Sequence, residues 1–122
     1  MTINKRQLGK RGEEIALRQI RRLGLKCIEK NFRCPLGEID IIARDKDCIV
    51  FLEVRTRRGV GTGIIKESID KRKRRKLSSL ALYYMKKENF RDLSARFDVM
   101  VISIGDKGFD MEYIKDAFNI SY

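Results

Sequence analysis

Asp40 and Glu53 are the two carboxylates of this chain whose setting points to shared chemistry. Each lies in a run of strand character, Gly37-Glu38-Ile39-Asp40-Ile41-Ile42 and Phe51-Leu52-Glu53-Val54-Arg55-Thr56-Arg57. The segment between them is polar at its middle, so a turn centred between Lys46 and Asp47 pairs Arg44 with Ile49 and Ile42 with Phe51. That register sets Asp40 opposite Glu53. Directly opposed residues of an antiparallel pair have Cβ atoms about 4.5–5.5 Å apart, where like charges repel unless something neutralises them. A divalent cation is one answer. Arg55, two residues along on the same face, is the other, as the cation of a structural ion-pair cluster.

The elements that must hold this pair follow from periodicity. Leu8, Ile15, Ala16, Ile20 and Leu23 recur at helical spacing from about Arg6 to Leu23, and Gly24 ends the helix. A first strand is expected from Leu25 to Phe32, with Pro35 and Gly37 as punctuation before the hairpin. After Arg57 a loop carries Gly59, Gly61 and Gly63. No Gly-Lys-Ser/Thr follows those glycines, so they are read as a mobile loop beside the substrate path rather than a phosphate cradle. A long helix from about Lys66 to Asn89 has Ile69, Leu77, Leu80, Ala81, Tyr84 and Met85 as its apolar stripe. Arg96 to Ile104 reads as a buried strand, Gly105 to Gly108 as a turn and Asp110 to Ile114 as a last strand. A strand, a helix and a further strand in that order imply a right-handed parallel crossover. The expected fold is α/β, a mixed sheet flanked by helices in the order α-β-β-β-α-β-β.

Composition narrows the chemistry. With 122 residues, 43% of them hydrophobic, the chain suits a single domain over 1–122. There is no histidine, which removes Ser-His-Asp triads, Cys-His proteases and Cys2His2 zinc sites. Cys27, Cys34 and Cys48 are odd in number and lack Cys-x-x-Cys spacing, so no disulfide framework is expected. Acid-base or metal chemistry must therefore use carboxylates, lysine or water. No run approaches the eighteen or so apolar residues of a membrane span, and a cytoplasmic location away from membranes is expected. The formal charge of +11 points to a polyanion, nucleic acid first. The positive charge is concentrated in Arg55, Arg57, Arg58, Lys66, Lys71, Arg72, Lys73, Arg74, Arg75 and Lys76, against only Glu67 and Asp70. Six consecutive cations on a helix repel one another, and phosphates relieve that repulsion.

These motifs, together with Gly12-Glu13-x-x-Ala16, Asn31-Phe32-Arg33, the Lys73 to Leu77 helix and Arg96-Phe97-Asp98, follow a known order. The chain resembles the restriction-endonuclease-like superfamily, with its PD-(D/E)XK signature, and within it the small bacterial YraN family. The resemblance implies a restriction-endonuclease-like core and a Mg²⁺- or Mn²⁺-dependent endonuclease. It implies Asp40, Glu53, Glu13 and the Val54 carbonyl as metal ligands, and it sets Arg55 where the signature lysine usually stands. Arg57, Arg58 and Lys71 to Lys76 become phosphate contacts, with DNA ahead of RNA as partner, and because the run wraps the helix some of them, such as Lys73, can point toward the sheet edge and the Asp40 and Glu53 site. A homodimer stays open, because superfamily nucleases that act on two strands often use two sites. Glu38 is read as an auxiliary ligand or a solvated charge, and Glu14 as nearer the polar helix face than Glu13. Asp98 is read as a partner of Arg96 or a strand-end cap, with a reach into the site from the fourth strand as the alternative, Tyr84 as core, and Tyr83 as a residue that could stack on bases. The rival reading is a non-catalytic nucleic-acid-binding module in which Arg55 holds the carboxylates.

Overall fold

The structure, a computed structural model, describes residues 4–59 and 71–118. Its first element, α1 (Lys5–Arg22), begins with a capping box. The Asn4 side chain accepts from the Gln7 N–H at 2.9 Å, and Gln7 accepts in return from the Asn4 N–H at 3.2 Å. The helix ends at Leu23 because Gly24 takes φ +85°, and the Leu25 N–H turns back to the Ile20 carbonyl. Arg21 and Arg22 in the last turn lie where the helix dipole favours cations.

Five strands form one sheet in sequence order: β1 (Lys26–Cys34), β2 (Gly37–Asp45), β3 (Cys48–Arg58), β4 (Ser94–Gly105) and β5 (Gly108–Phe118). All neighbours are antiparallel except β3 and β4, which run parallel with α2 (Lys71–Lys87) between them in sequence. This is the expected mixed sheet in the expected element order. The two helices cover opposite faces. Alternation along β3 sends Ile49 and Phe51 toward α2, with Leu77, Leu80, Ala81 and Tyr84. Val50 and Leu52 go the other way, toward Ile15, Ala16 and Ile20 of α1. Because β3 and β4 are central and covered on both sides, they read as continuous apolar runs.

Several boundaries differ from the expected ones, each for a local reason. β1 runs on to Cys34 because Phe32, Arg33 and Cys34 keep the register of Glu29 and Lys30, pairing with Ile39, Glu38 and Gly37 past Asn31, which sits at φ +53°. β5 extends to Phe118 past Asp116, again at positive φ, and Phe118 stacks on Phe97 with ring centroids 4.6 Å apart. α2 stops at Lys87, two residues short of Asn89, which adopts φ +58° and closes the helix as the Phe90 N–H bonds the Met85 carbonyl. Lys66, Glu67, Asp70 and the glycines at 61 and 63 lie outside the described residues. Among the described residues no helix is long and apolar enough to cross a membrane. Cys27, Cys34 and Cys48 are free thiols, as their spacing implied.

Candidate metal and phosphate site

The β2–β3 hairpin has the expected register. Arg44 pairs with Ile49 and Ile42 with Phe51, and the ladder runs to Ile41 and Leu52. One step further, where Asp40 would pair with Glu53, side-chain bonding replaces the ladder: Asp40 Oδ2 accepts from the Val54 N–H at 2.8 Å. That bond anchors the carboxylate at the point where the two strands part. Asp40 and Glu53 then line one cavity of about 230 Å³ with Lys73, Leu77, Phe51, Phe97 and Phe118. The cavity lies between the sheet and α2, so its floor is apolar and its rim is charged.

Charge is distributed unevenly over the two carboxylates. Burial pushes the Asp40 carboxyl above its usual range. The Val54 N–H works against that shift, and the Glu53, Glu38 and Glu13 carboxylates reinforce it. Glu53 instead collects cations on one oxygen. Lys73 Nζ lies 2.6 Å and Arg55 Nη2 3.3 Å from Oε1, whereas Oε2 is buried and has no hydrogen-bond partner. Arg55 therefore does share the face of Glu53, and its Nε and Nη2 are also buried without hydrogen-bond partners.

Glu13 reaches the region from the α1 side. Its Oε1 accepts from Asn31 Nδ2 at 2.7 Å, and it lines a second cavity with Asp40, Asn31, Val54, Thr56 and Arg57. Asp40 and Glu38 border both cavities, so the two meet at the parting of β2 and β3. Glu14 is exposed. Gly12, beside Glu13, is buried against Thr56 of β3. Among the described residues no three Asp, Glu, Cys or His side chains gather as closely as a metal cluster does. Asp40 shares one cavity with Glu53 and the other with Glu13, whose carboxylate is bonded by Asn31. Mg²⁺ accepts so small a set because it retains several waters.

The basic run divides by helical geometry. Lys71, Arg72, Arg75 and Lys76 are exposed. Lys73 and Arg74 turn inward, Lys73 to Glu53 and Arg74 over the Phe118 ring at 5.6 Å. Arg57 donates to Ser103 Oγ at 2.9 Å, while Arg58 is exposed. Tyr84 is core, packed on Phe32 and Phe51, and Tyr83 is exposed on α2.

Asp98 lines the same cavity as Asp40 and Glu53 and is the centre of a buried network. It accepts from Arg96 Nε at 3.1 Å, from the Asp116 N–H at 2.8 Å and from the Tyr113 hydroxyl, while Arg96 Nη1 reaches Asp45 at 2.9 Å. The Tyr113 hydroxyl is held protonated, first by burial and then by Asp98. These bonds tie β2, β4 and β5 together. One position escaped notice at the level of sequence, Asn31 as the holder of Glu13, whereas Lys73 points toward the Asp40 and Glu53 carboxylates as the winding of the helix allowed. A positive-φ asparagine in a strand has no periodic signal.

Residues 12–102 match the profile of the uncharacterised protein family UPF0102. The chain belongs to that family. A UPF0102 protein of Syntrophus aciditrophicus is 41% identical over 122 residues, covering 100% of this chain and 95% of the relative. Another, from Desulfitobacterium hafniense, is 44% identical over 108 residues, or 88% of this chain and 89% of its own length. A third, from Caldicellulosiruptor saccharolyticus, is 40% identical over 118 residues, or 95% and 100%. UPF0102 is the YraN family, so the resemblance drawn from the motifs holds along nearly the whole chain.

Proposed function

We propose that this UPF0102 protein is a Mg²⁺- or Mn²⁺-dependent endonuclease that grips nucleic acid, DNA ahead of RNA, through the exposed cations of α2. The observation that carries this reading is the pairing of Asp40 with Glu53 on one cavity wall. One carboxylate has its ionisation opposed by burial and by its neighbours, and the other keeps a buried oxygen without a hydrogen-bond partner. A cation between them relieves both, so the donor set suits a hard divalent ion. Asp40, Glu53 and the Val54 carbonyl would hold it, with Glu13 contributing from across the strand ends. The ion, when bound, supplies an activated water and a counter-charge for the phosphodiester transition state.

The chain's own residues divide the remaining work. The Val54 N–H holds the Asp40 carboxylate in a single orientation. Arg55 cannot take a proton from water, since a guanidinium stays charged with a pKa above about 12, but it can orient phosphate oxygens. Lys71, Arg72, Arg75 and Lys76 add contacts along the backbone, which raise affinity without reading bases.

A second reading has its own observation. Lys73 and Arg55 both neutralise Glu53, as in a structural cluster that needs no ion, and the protein is then a non-catalytic nucleic-acid-binding module. A cleavage panel separates the two readings: single-stranded, duplex and four-way-junction DNA plus RNA, with and without Mn²⁺. Mn²⁺-dependent cleavage of at least one substrate, lost in Asp40→Asn, supports the nuclease. Binding to the panel with no cleavage of any member supports the module.

A further inference from the structure

Lys73 makes a closer contact with Glu53 than Arg55 does, although Arg55 is the nearer residue in sequence. Its Nζ is 2.6 Å from Oε1, and its side chain is still 38% exposed. Arg55 rises from the same strand as Glu53, its Nε and Nη2 are buried, and it has little freedom to leave. Lys73 comes from another element on a flexible four-carbon stem that carries a compact charge. The two cations on Glu53 are therefore unlike: one is fixed beside the carboxylate and the other can swing away. Asp40, on the facing strand, has no ion-pair partner among the described residues.

We propose that Lys73 competes with a divalent cation for Glu53, and that a substrate phosphate relieves the competition by drawing the ammonium away, so that metal and nucleic acid bind with positive coupling. The inference rests on the nuclease reading of the same site. Electrostatics requires the coupling once Lys73 is shared. An ammonium on Oε1 and a +2 ion on Oε2 of the same carboxylate lie close enough to repel each other strongly, and a phosphodiester placed at the cavity mouth offers the ammonium an equivalent anion. The neighbouring exposed cations Lys71, Arg72, Arg75 and Lys76 lead a phosphate backbone to that mouth. Linkage then makes the effect reciprocal: nucleic acid tightens the metal by the factor by which the metal tightens nucleic acid. The arrangement keeps the site from gathering metal until substrate is present.

The test is calorimetric titration with Mn²⁺ on the intact protein, alone and saturated with a short phosphorothioate-substituted oligodeoxynucleotide. Wild type is expected to bind Mn²⁺ weakly alone and about 10-fold more tightly with the oligonucleotide. In Lys73→Gln, Mn²⁺ should bind the protein alone about 10-fold more tightly than in wild type, and the oligonucleotide should change that affinity by less than about 3-fold. Lys73→Arg, which keeps the charge, should retain most of the wild-type weakness and so show that competition, rather than altered folding, sets the affinity. If Lys73→Gln binds Mn²⁺ as wild type does while Asp40→Asn abolishes binding, the competition is refuted and the nuclease reading stands. If neither wild type nor Lys73→Gln takes up Mn²⁺ at millimolar concentration, both fail.

Discussion

Neutralising the two site carboxylates one at a time should move stability in opposite directions, because one is stripped of cations and the other holds two. In Glu53→Gln, Arg55 and Lys73 lose their counter-charge. Breaking a buried ion pair from one side costs about 3–5 kcal/mol. Here the Glu53, Arg55 and Lys73 side chains are 18%, 29% and 38% exposed, so solvent screening reduces the cost. A loss of about 1–3 kcal/mol remains, part of it offset by relief of Asp40. For a chain of this size that corresponds to a Tm roughly 4–12 °C lower at pH 7. Asp40→Asn should do the reverse. Its folded-state pKa is raised above the ordinary 3.8, so the folded state binds the proton more tightly than the unfolded chain does. Wild-type stability therefore falls as pH climbs through that raised value, and the neutral amide escapes the fall while still accepting the Val54 N–H. The variant should melt above wild type at pH 7, with the margin shrinking as pH drops toward the unfolded value near 3.8. Circular-dichroism melts of the three proteins from pH 4.5 to 7.5 read both effects. Destabilisation by Asp40→Asn at pH 7, or a margin that does not change with pH, would refute this account of the site's electrostatics.

Other outcomes follow from single contacts. Gly12→Ala drives a methyl into Thr56, a β-branched residue with little room to turn, so a cost of about 1–3 kcal/mol is expected as a lower Tm. Asp98→Ala leaves Arg96 buried without its main partner and should cost about 3–5 kcal/mol in a denaturant melt; a loss under about 1 kcal/mol would show that the network does not bind the sheet together. Replacing Lys71, Arg72 and Arg75 with glutamine should weaken DNA binding and lower the log-log salt slope by up to about 2.7, and an unchanged slope in a fluorescence titration would exclude this face. Arg55→Lys should raise the Mn²⁺-dependent cleavage rate if the absence of a lysine at that position limits catalysis, and a rate no higher would show that it does not.

Much of this organisation could be read in the residues themselves. The hairpin register followed from a polar turn between two alternating runs, and with it came the approach of Asp40 to Glu53, because a slip of one residue would have sent Phe51 and Ile42 to the wrong face. The parallel β3–β4 pair followed from the length of the intervening helix. What stayed hidden depended on tertiary approach. The winding of the helix already allowed Lys73 to face the carboxylates, but that Arg74 turns in over Phe118 while Arg72 and Arg75 stay in water is set by the path of α2 across the sheet. Asn31 takes a left-handed conformation inside a strand, where propensity argues against it, and its amide is spent on Glu13. That bond, which fixes Glu13 at the edge of the cavity it shares with Asp40, has no counterpart in any spacing rule. Asp98 was readable as the partner of Arg96, but not as the acceptor from Tyr113 and Asp116 as well.

The most direct measurement is an anomalous-difference map from a crystal of the wild-type protein soaked in Mn²⁺, with an Asp40→Asn crystal treated in parallel. The account predicts a single strong peak between the Asp40 and Glu53 carboxylates, within coordination distance of both, and no peak there in the variant. A wild-type map with no density between these side chains, or with Mn²⁺ only at scattered surface carboxylates, would contradict it.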